Sequence, residues 1–169
     1  MNKLYYSYEM CKEDTQKLVD ISKSFKADAF LSIARGGLTL SHLMSQAMNQ
    51  RDVFTINSIS YDRKNQKDSI EIFNIPDLKS YKKVLIIDDI VDSGKTMIEV
   101  FKILNEKFPN TEFKLATLFY KKTALVKPDF YIKQTDIWIE FFWEVDVQIK
   151  EDINEEVKIW FMIEELDFF

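Results

Sequence analysis

A single cysteine, Cys11, stands in the 169 residues, so no intrachain disulfide and no CxxC metal or redox pair can form. A single histidine, His42, likewise excludes HExxH zinc sites and two-histidine metal centres. No apolar run approaches the ~18 residues of a membrane span, and MNKLYYSYEMCKED lacks the apolar core of a signal peptide. The basic excess of a general nucleic-acid binder is missing too: 23 basic against 28 acidic residues leave a net charge of −5. Together these absences predict a reduced, cytoplasmic, soluble protein that binds no nucleic acid. The scarcest residue is glycine: ordinary usage would supply about 12, and there are three.

What is present suits one compact domain. Apolar residues make up 46% of the chain. At this length folding buries roughly 70% of the unfolded surface, so neither metal nor disulfide staples are needed. The glycines are concentrated: Gly36, Gly37 and Gly94 sit in two short segments directly after apolar runs. Glycine is favoured where the backbone takes positive φ or comes close to a ligand. The plain reading is two tight strand-to-helix turns, and the functional one is a backbone that approaches a bound molecule.

Leu18, Val19, Ile21 and Phe25 fit the inner face of a helix over roughly 9–26. AFLSIA (29–34) reads as a buried strand, LTLSHLMSQAMNQ (38–50) as a helix with an apolar stripe, and VFTINSIS (53–60) as a strand. On that stripe His42 is expected in the interior or at an interface, whereas Cys11, in a charged helix, is expected to be incidental. YDRKNQKDS (61–69) is polar and without periodicity, the best candidate for a mobile loop. SIEIFNI (69–75) alternates as a half-exposed strand does. VLIID (84–88) is an apolar run closed by carboxylates, as in a strand covered on both faces. After the turn DSGK (92–95) comes a helix over 96–108, and Thr96 with Glu99 has the spacing of a capping box. FKLATLFYK (113–121) and DFYI (129–132) read as further strands. Strands alternating with helices predict an α/β domain around a mainly parallel sheet. Residues 152–169, dense in aromatics and acids, fit a strand or a helix, with helix preferred.

In an open α/β sheet, ligands bind beyond the carboxyl ends of the strands, where both glycine turns fall. The free N–H groups at the start of the second helix, with the Ser93 and Thr96 hydroxyls, make a phosphate cradle. A P-loop would need glycine at position 89, and Asp89 stands there instead. Asp88 and Asp89 beside such a cradle would repel an anion unless they met hydroxyls or a divalent cation. That mixture points to a sugar phosphate with a free diol, together with Mg²⁺.

VLIIDDIVDSGKT (84–96) closely resembles the phosphoribosyl pyrophosphate (PRPP) motif of type I phosphoribosyltransferases. Ala34-Arg35-Gly36-Gly37 resembles the pyrophosphate loop of that family, and SYDRKNQK (60–67) its flexible loop. IWIEFFWE (137–144), preceded by Lys121, resembles the base-binding hood of the bacterial xanthine-guanine branch, with FFWE replacing the usual proline-containing sequence. The resemblance spans about residues 28–146. It implies a Rossmann-like, mainly parallel sheet flanked by helices with a small hood. Residues 1–150 would form that domain, and 151–169 a C-terminal extension packed on it.

By the same resemblance, Asp88 and Asp89 hold the ribose hydroxyls, with Asp89 facing the magnesium. Because strand neighbours point to opposite faces, both can serve only where the strand ends, and Asp88 is the more dispensable. Asp92, Ser93, Gly94, Lys95 and Thr96 wrap the 5′-phosphate. Arg35 and the Gly36 and Gly37 amides grip the leaving pyrophosphate, after a cis peptide at Ala34–Arg35. Lys67 is the basic loop residue meeting the pyrophosphate. Asp92 shares a proton at the purine N7, Lys121 (or its neighbour Lys122) donates to a 6-oxo oxygen, Trp138 stacks on the ring and the Ile139 carbonyl meets the 2-substituent. The implied reaction converts PRPP and a 6-oxopurine into a nucleoside 5′-monophosphate and pyrophosphate, in a homo-oligomer (dimer or tetramer). Two alternatives stand beside it: a non-catalytic PRPP- or nucleotide-sensing protein of the same fold, and the same chemistry on another base.

Overall fold

The computed structural model describes residues 3–61 and 69–146. Lys67, most of the 60–67 segment and the 151–169 extension lie outside the described residues. The chain begins with β1 (Lys3–Tyr6), α1 (Tyr8–Ser22) and a 3₁₀ turn (Lys23–Phe25), then β2 (Ala29–Ala34) and α2 (Gly37–Ala47). β3 (Val53–Tyr61) and β4 (Ser69–Phe73) precede β5 (Lys83–Val91) and α3 (Lys95–Lys107). β6 (Glu112–Lys121), β7 (Phe130–Thr135), β8 (Trp138–Phe141) and the single turn α4 (Phe142–Val145) follow.

Six strands form one sheet in the order β4-β3-β2-β5-β6-β7, parallel throughout except for the β3–β4 hairpin. The expected α/β architecture is therefore present. β2 and β5 lie at its centre, which is why VLII is continuously apolar and AFLSIA is interrupted only by the small, buried Ser32. Leu85 and Ile87 pack with Leu18, Leu40 and Met44 under α1 and α2. Val84 and Ile86 pack with Met97, Val100 and Leu104 under α3. At roughly 1.5–3 kcal/mol per buried aliphatic side chain, these two layers anchor the strand ends that carry the site. Among the described residues no helix is long and apolar enough to cross a membrane.

Several local expectations are corrected. β5 does not stop at its carboxylates but runs on to Val91, because Ile90 and Val91 still pair with Phe119 and Tyr120 of β6. The capping box does not form: Gly94, at φ 79°, is the N-cap of α3, so Thr96 falls inside the first turn. α2 ends at Ala47, ahead of the prediction, as Asn49 turns to φ 50°. His42 is exposed, on the side of α2 opposite the buried Leu40 and Met44. Cys11 is wholly buried in the core. β1 was not foreseen: it pairs in parallel with β8, setting Lys3 against Trp138 and Tyr6 against Phe141 as a separate two-stranded sheet. This small sheet is the hood.

Candidate active site

Two turns at the carboxyl ends of neighbouring strands meet. β2 ends in the loop 34–37, entered through a cis peptide between Ala34 and Arg35. β5 carries Asp88-Asp89 near its carboxyl end, just before Val91 closes the strand. A Cβ on Gly36 would lie 2.5 Å from Asp89 Oδ2, and one on Gly37 would collide with the Ile87 carbonyl oxygen. The loop glycines are thus required by close approach of the carboxylate strand. Arg35 is exposed, forms no ion pair with another described residue, and borders a cavity of about 650 Å³. Gly36, Asp88, Asp89 and Thr96 line the same cavity, with Asn57 and Ser58 of β3 opposite.

Both aspartates therefore reach one space, although they are neighbours on a strand. Asp88 Oδ1 accepts the Asp89 N–H at 3.1 Å, and Asp89 Oδ1 accepts the Ile90 N–H at 2.7 Å. The β5–β6 register skips Asp89, between the pairs Asp88–Thr117 and Ile90–Phe119. That local break lets the second carboxylate turn towards the cavity. Burial pushes the Asp88 carboxyl well above the usual carboxylate range, and the charge of Asp89 adds to the rise. Asp89, 6% exposed, is pushed up to about 7 by burial first and by Glu144 second. Its hydrogen bond from Ile90 and the nearby Trp143 indole N–H offset part of this rise. That buried indole N–H makes no hydrogen bond of normal geometry. Among the described residues no group of three or more His, Cys, Asp or Glu side chains is placed to hold a metal ion unaided.

The following loop is braced from outside. Leu125 N–H donates to the Ser93 carbonyl at 3.0 Å, Lys95 N–H to Ser93 Oγ at 3.3 Å, and Ile98 N–H to the Gly94 carbonyl at 3.1 Å. A Cβ on Gly94 would sit 2.8 Å from the Val126 nitrogen, so this glycine answers both to positive φ and to crowding. Asp92, Ser93 and Lys95 are exposed, and the first turn of α3 carries no side-chain cap. Its early N–H groups are the kind of donors that a phosphate oxygen accepts from.

Beyond this loop lies a smaller cavity of about 100 Å³, walled by Asp92, Lys121, Ile137, Trp138, Ile139 and Phe141. Lys121 Nζ meets Asp92 Oδ1 at 2.7 Å. Lys122 is exposed and lines no wall here, whereas Lys121 does. Trp138 is 48% exposed, offering a ring face, whereas the Ile139 side chain is buried. Asp89 and Glu144 border both cavities. Glu144 and Asn57 were not singled out from the sequence. Glu144 stands in the FFWE segment read only as a departure from the family's hood, and Asn57 carries no motif at all.

Two glycine turns, a paired carboxylate strand end and a half-open aromatic pocket thus share one rim, and residues 8–150 match the phosphoribosyl transferase domain. The chain belongs to that family. It is 39% identical to the Helicobacter pylori xanthine-guanine-hypoxanthine phosphoribosyltransferase, covering 86% of this chain and 96% of that one with a TM-score of 0.80. A purine phosphoribosyltransferase from Pyrococcus horikoshii is 30% identical, with 90% and 100% covered and a TM-score of 0.76. The xanthine-guanine phosphoribosyltransferase of Cereibacter sphaeroides is 31% identical over 128 residues, 73% of this chain and 72% of its own length. For this phosphoribosyltransferase the larger cavity is the side nearer Arg35 and the aspartates, and the hood closes the other.

Proposed function

We propose that this phosphoribosyltransferase serves purine salvage, transferring the 5-phosphoribosyl group of PRPP to a nitrogen of a 6-oxopurine. The observation that carries this reading is the Asp92–Lys121 pair at 2.7 Å in a cavity that the half-exposed Trp138 also lines. It joins the sugar-phosphate loop to a pocket of aromatic and donor character. A 6-oxopurine offers a proton-bearing or proton-accepting N7 beside the O6 acceptor, which matches a carboxylate next to an ammonium. Adenine would present an amino donor to Lys121 instead. Trp138 stacks on the ring, and the Ile139 carbonyl meets the 2-substituent.

The purine nitrogen attacks the anomeric carbon, the carbon–oxygen bond to pyrophosphate breaks, and the leaving group departs with the electron pair. Asp92 takes or shares the proton at N7 as the ring becomes electron-poor. Arg35 and the Gly36 and Gly37 amides face the pyrophosphate, where negative charge grows. Thr96, Ser93, Gly94 and Lys95 hold the 5′-phosphate, and Asp88 and Asp89 take the ribose hydroxyls. Magnesium suits this donor set: one or two carboxylates bind it together with substrate oxygens, and no third protein ligand is needed. Asp89 would face it, and it would neutralise the charge of the departing pyrophosphate. Lys67 would add a further positive charge.

Residues 1–150 constitute the enzyme domain in this reading, residues 151–169 an extension, and the protein works in the cytoplasm as a dimer or tetramer. The test is turnover of PRPP and MgCl₂ with guanine, xanthine, hypoxanthine, adenine, orotate or uracil separately, read as nucleotide by mass spectrometry. Product from 6-oxopurines alone is expected. Lys121→Ala should cut 6-oxopurine kcat/KM by about 10²-fold, the loss of a charge-assisted hydrogen bond in a desolvated site. Unchanged turnover in that variant would place the base elsewhere.

A further inference from the structure

The hood is a small sheet of two four-residue strands, marginal on its own, so its angle over the site depends on what ties it to the body. Lys3–Glu140 and Tyr5–Asp146 are bonds within the hood itself. Tyr6 is different. It closes β1, is fully buried, and its hydroxyl donates to Asp14 Oδ2 of α1 at 3.0 Å. The same oxygen accepts from Lys133 Nζ of β7 at 2.7 Å, while Asp14 Oδ1 accepts from Lys17 at 2.9 Å. Asp14 is only 2% exposed, so this carboxylate is held by its partners rather than by water.

The ring of Tyr6 continues the connection. It meets Phe119 of β6 edge-on with centroids 5.0 Å apart, and Phe141 of β8 at 5.7 Å. Phe141 is the register partner of Tyr6 and a wall of the smaller cavity. Lys133 Nζ lies 6.0 Å from the centroids of both the Tyr6 and Phe119 rings. None of Tyr6, Asp14, Lys133, Phe119 and Phe141 lines the larger cavity. The network therefore reaches one half of the site only.

We propose that Tyr6, Asp14 and Lys133 are positioning residues for the base-binding half of the site. They set the hood, and with it Trp138 and Ile139, over the Asp92–Lys121 pair without touching substrate. This rests on the smaller cavity being the base pocket. Moving a stacking ring by a fraction of an ångström weakens base capture while leaving the sugar-phosphate grip intact.

Steady-state kinetics with guanine and PRPP varied independently test it, on Tyr6→Phe, Lys133→Met and Lys133→Arg. Tyr6→Phe keeps the ring and Lys133→Met keeps the stem, so both retain the packing, checked by circular-dichroism melting. Each should raise guanine KM about 5- to 10-fold, the equivalent of one lost charge-assisted hydrogen bond, with PRPP KM moving less than about twofold. Lys133→Arg keeps the ion pair and should restore guanine KM. A folded Tyr6→Phe with unchanged guanine KM, or a parallel rise in both KM values, would overturn the proposal. Trp138→Ala separates the two possible failures. If it too leaves guanine KM unchanged, the base pocket has been misplaced. If it raises guanine KM while Tyr6→Phe does not, only the positioning role falls.

Discussion

The two cavities share Asp89 and Glu144, yet their walls are made in different ways. The larger one is assembled from the ends of β2 and β5, the most buried strands of the sheet, and from a glycine loop pressed against them. Its backbone is held from both sides by continuous apolar layers. The smaller one is closed by β8, whose Trp138 is nearly half exposed and whose only strand partner among the described residues is the four-residue β1. On the proposed assignment of pyrophosphate to the larger cavity and base to the smaller, the difference matches the chemistry each half would do. Charge grows on the leaving pyrophosphate, where rigid, preset donors contribute most. A flat base needs a stacking face and an entry path, which a small peripheral sheet supplies.

The comparison breaks most readily at Asp89, because this residue belongs to both walls. Asp89→Asn should lower kcat/KM for PRPP by about 10²–10³-fold, the scale for losing one electrostatic partner in a desolvated site. Guanine KM, measured at saturating PRPP, should change far less. An equal rise in both would mean that the shared wall couples the cavities, and the division into two halves would have to be given up.

A smaller effect is expected from the opposite side. Trp138→Ala should raise guanine KM by about 10-fold or somewhat more, given ~1–3 kcal/mol for base–aromatic stacking. PRPP affinity, followed by isothermal titration without base, should stay within about twofold. If PRPP binding weakens as well, the hood supports more than the base.

The smallest effect concerns stability. Asp88 and Asp89 have folded pKa values raised above their unfolded values, Asp89 to about 7. The folded chain therefore binds more protons than the unfolded one between about pH 4 and 7, and stability falls as pH rises through that window. Without ligand, Tm should drop by a few degrees from pH 5.5 to 7.5, and Asp89→Asn should flatten that slope. A Tm that climbs over the same range in the wild-type chain would show that the two carboxylates ionise freely and that the larger cavity is wetter than its burial implies.

Parts of this arrangement were legible residue by residue. Gly36, Gly37 and Gly94 stood out because they were so few, and each meets backbone or a carboxylate where a side chain would go. AFLSIA announced a buried strand despite Ser32, and the unbroken run VLII one covered on both faces. The Asp88–Asp89 pair was legible as a candidate ligand site, but not the way both reach one cavity. That depends on a skipped pair in the β5–β6 ladder, a property of the partner strand. Thr96 does not complete the capping box that local spacing suggests, because that spacing says nothing of the left-handed turn that Gly94 makes at the start of α3.

Sequence by itself determined the α/β sheet, the glycine loops and the residue types at the strand ends, since these follow from local periodicity and from steric needs of single positions. Tertiary structure alone decided the pairing of β1 with β8, the ion pair of Lys121 with Asp92, and the convergence of Tyr6 and Lys133 on Asp14. Those contacts join positions up to 135 residues apart, Lys3 to Trp138. No local propensity encodes such a meeting. It exists because the core brings the strands into register and leaves each buried polar group only the partners that arrive with it.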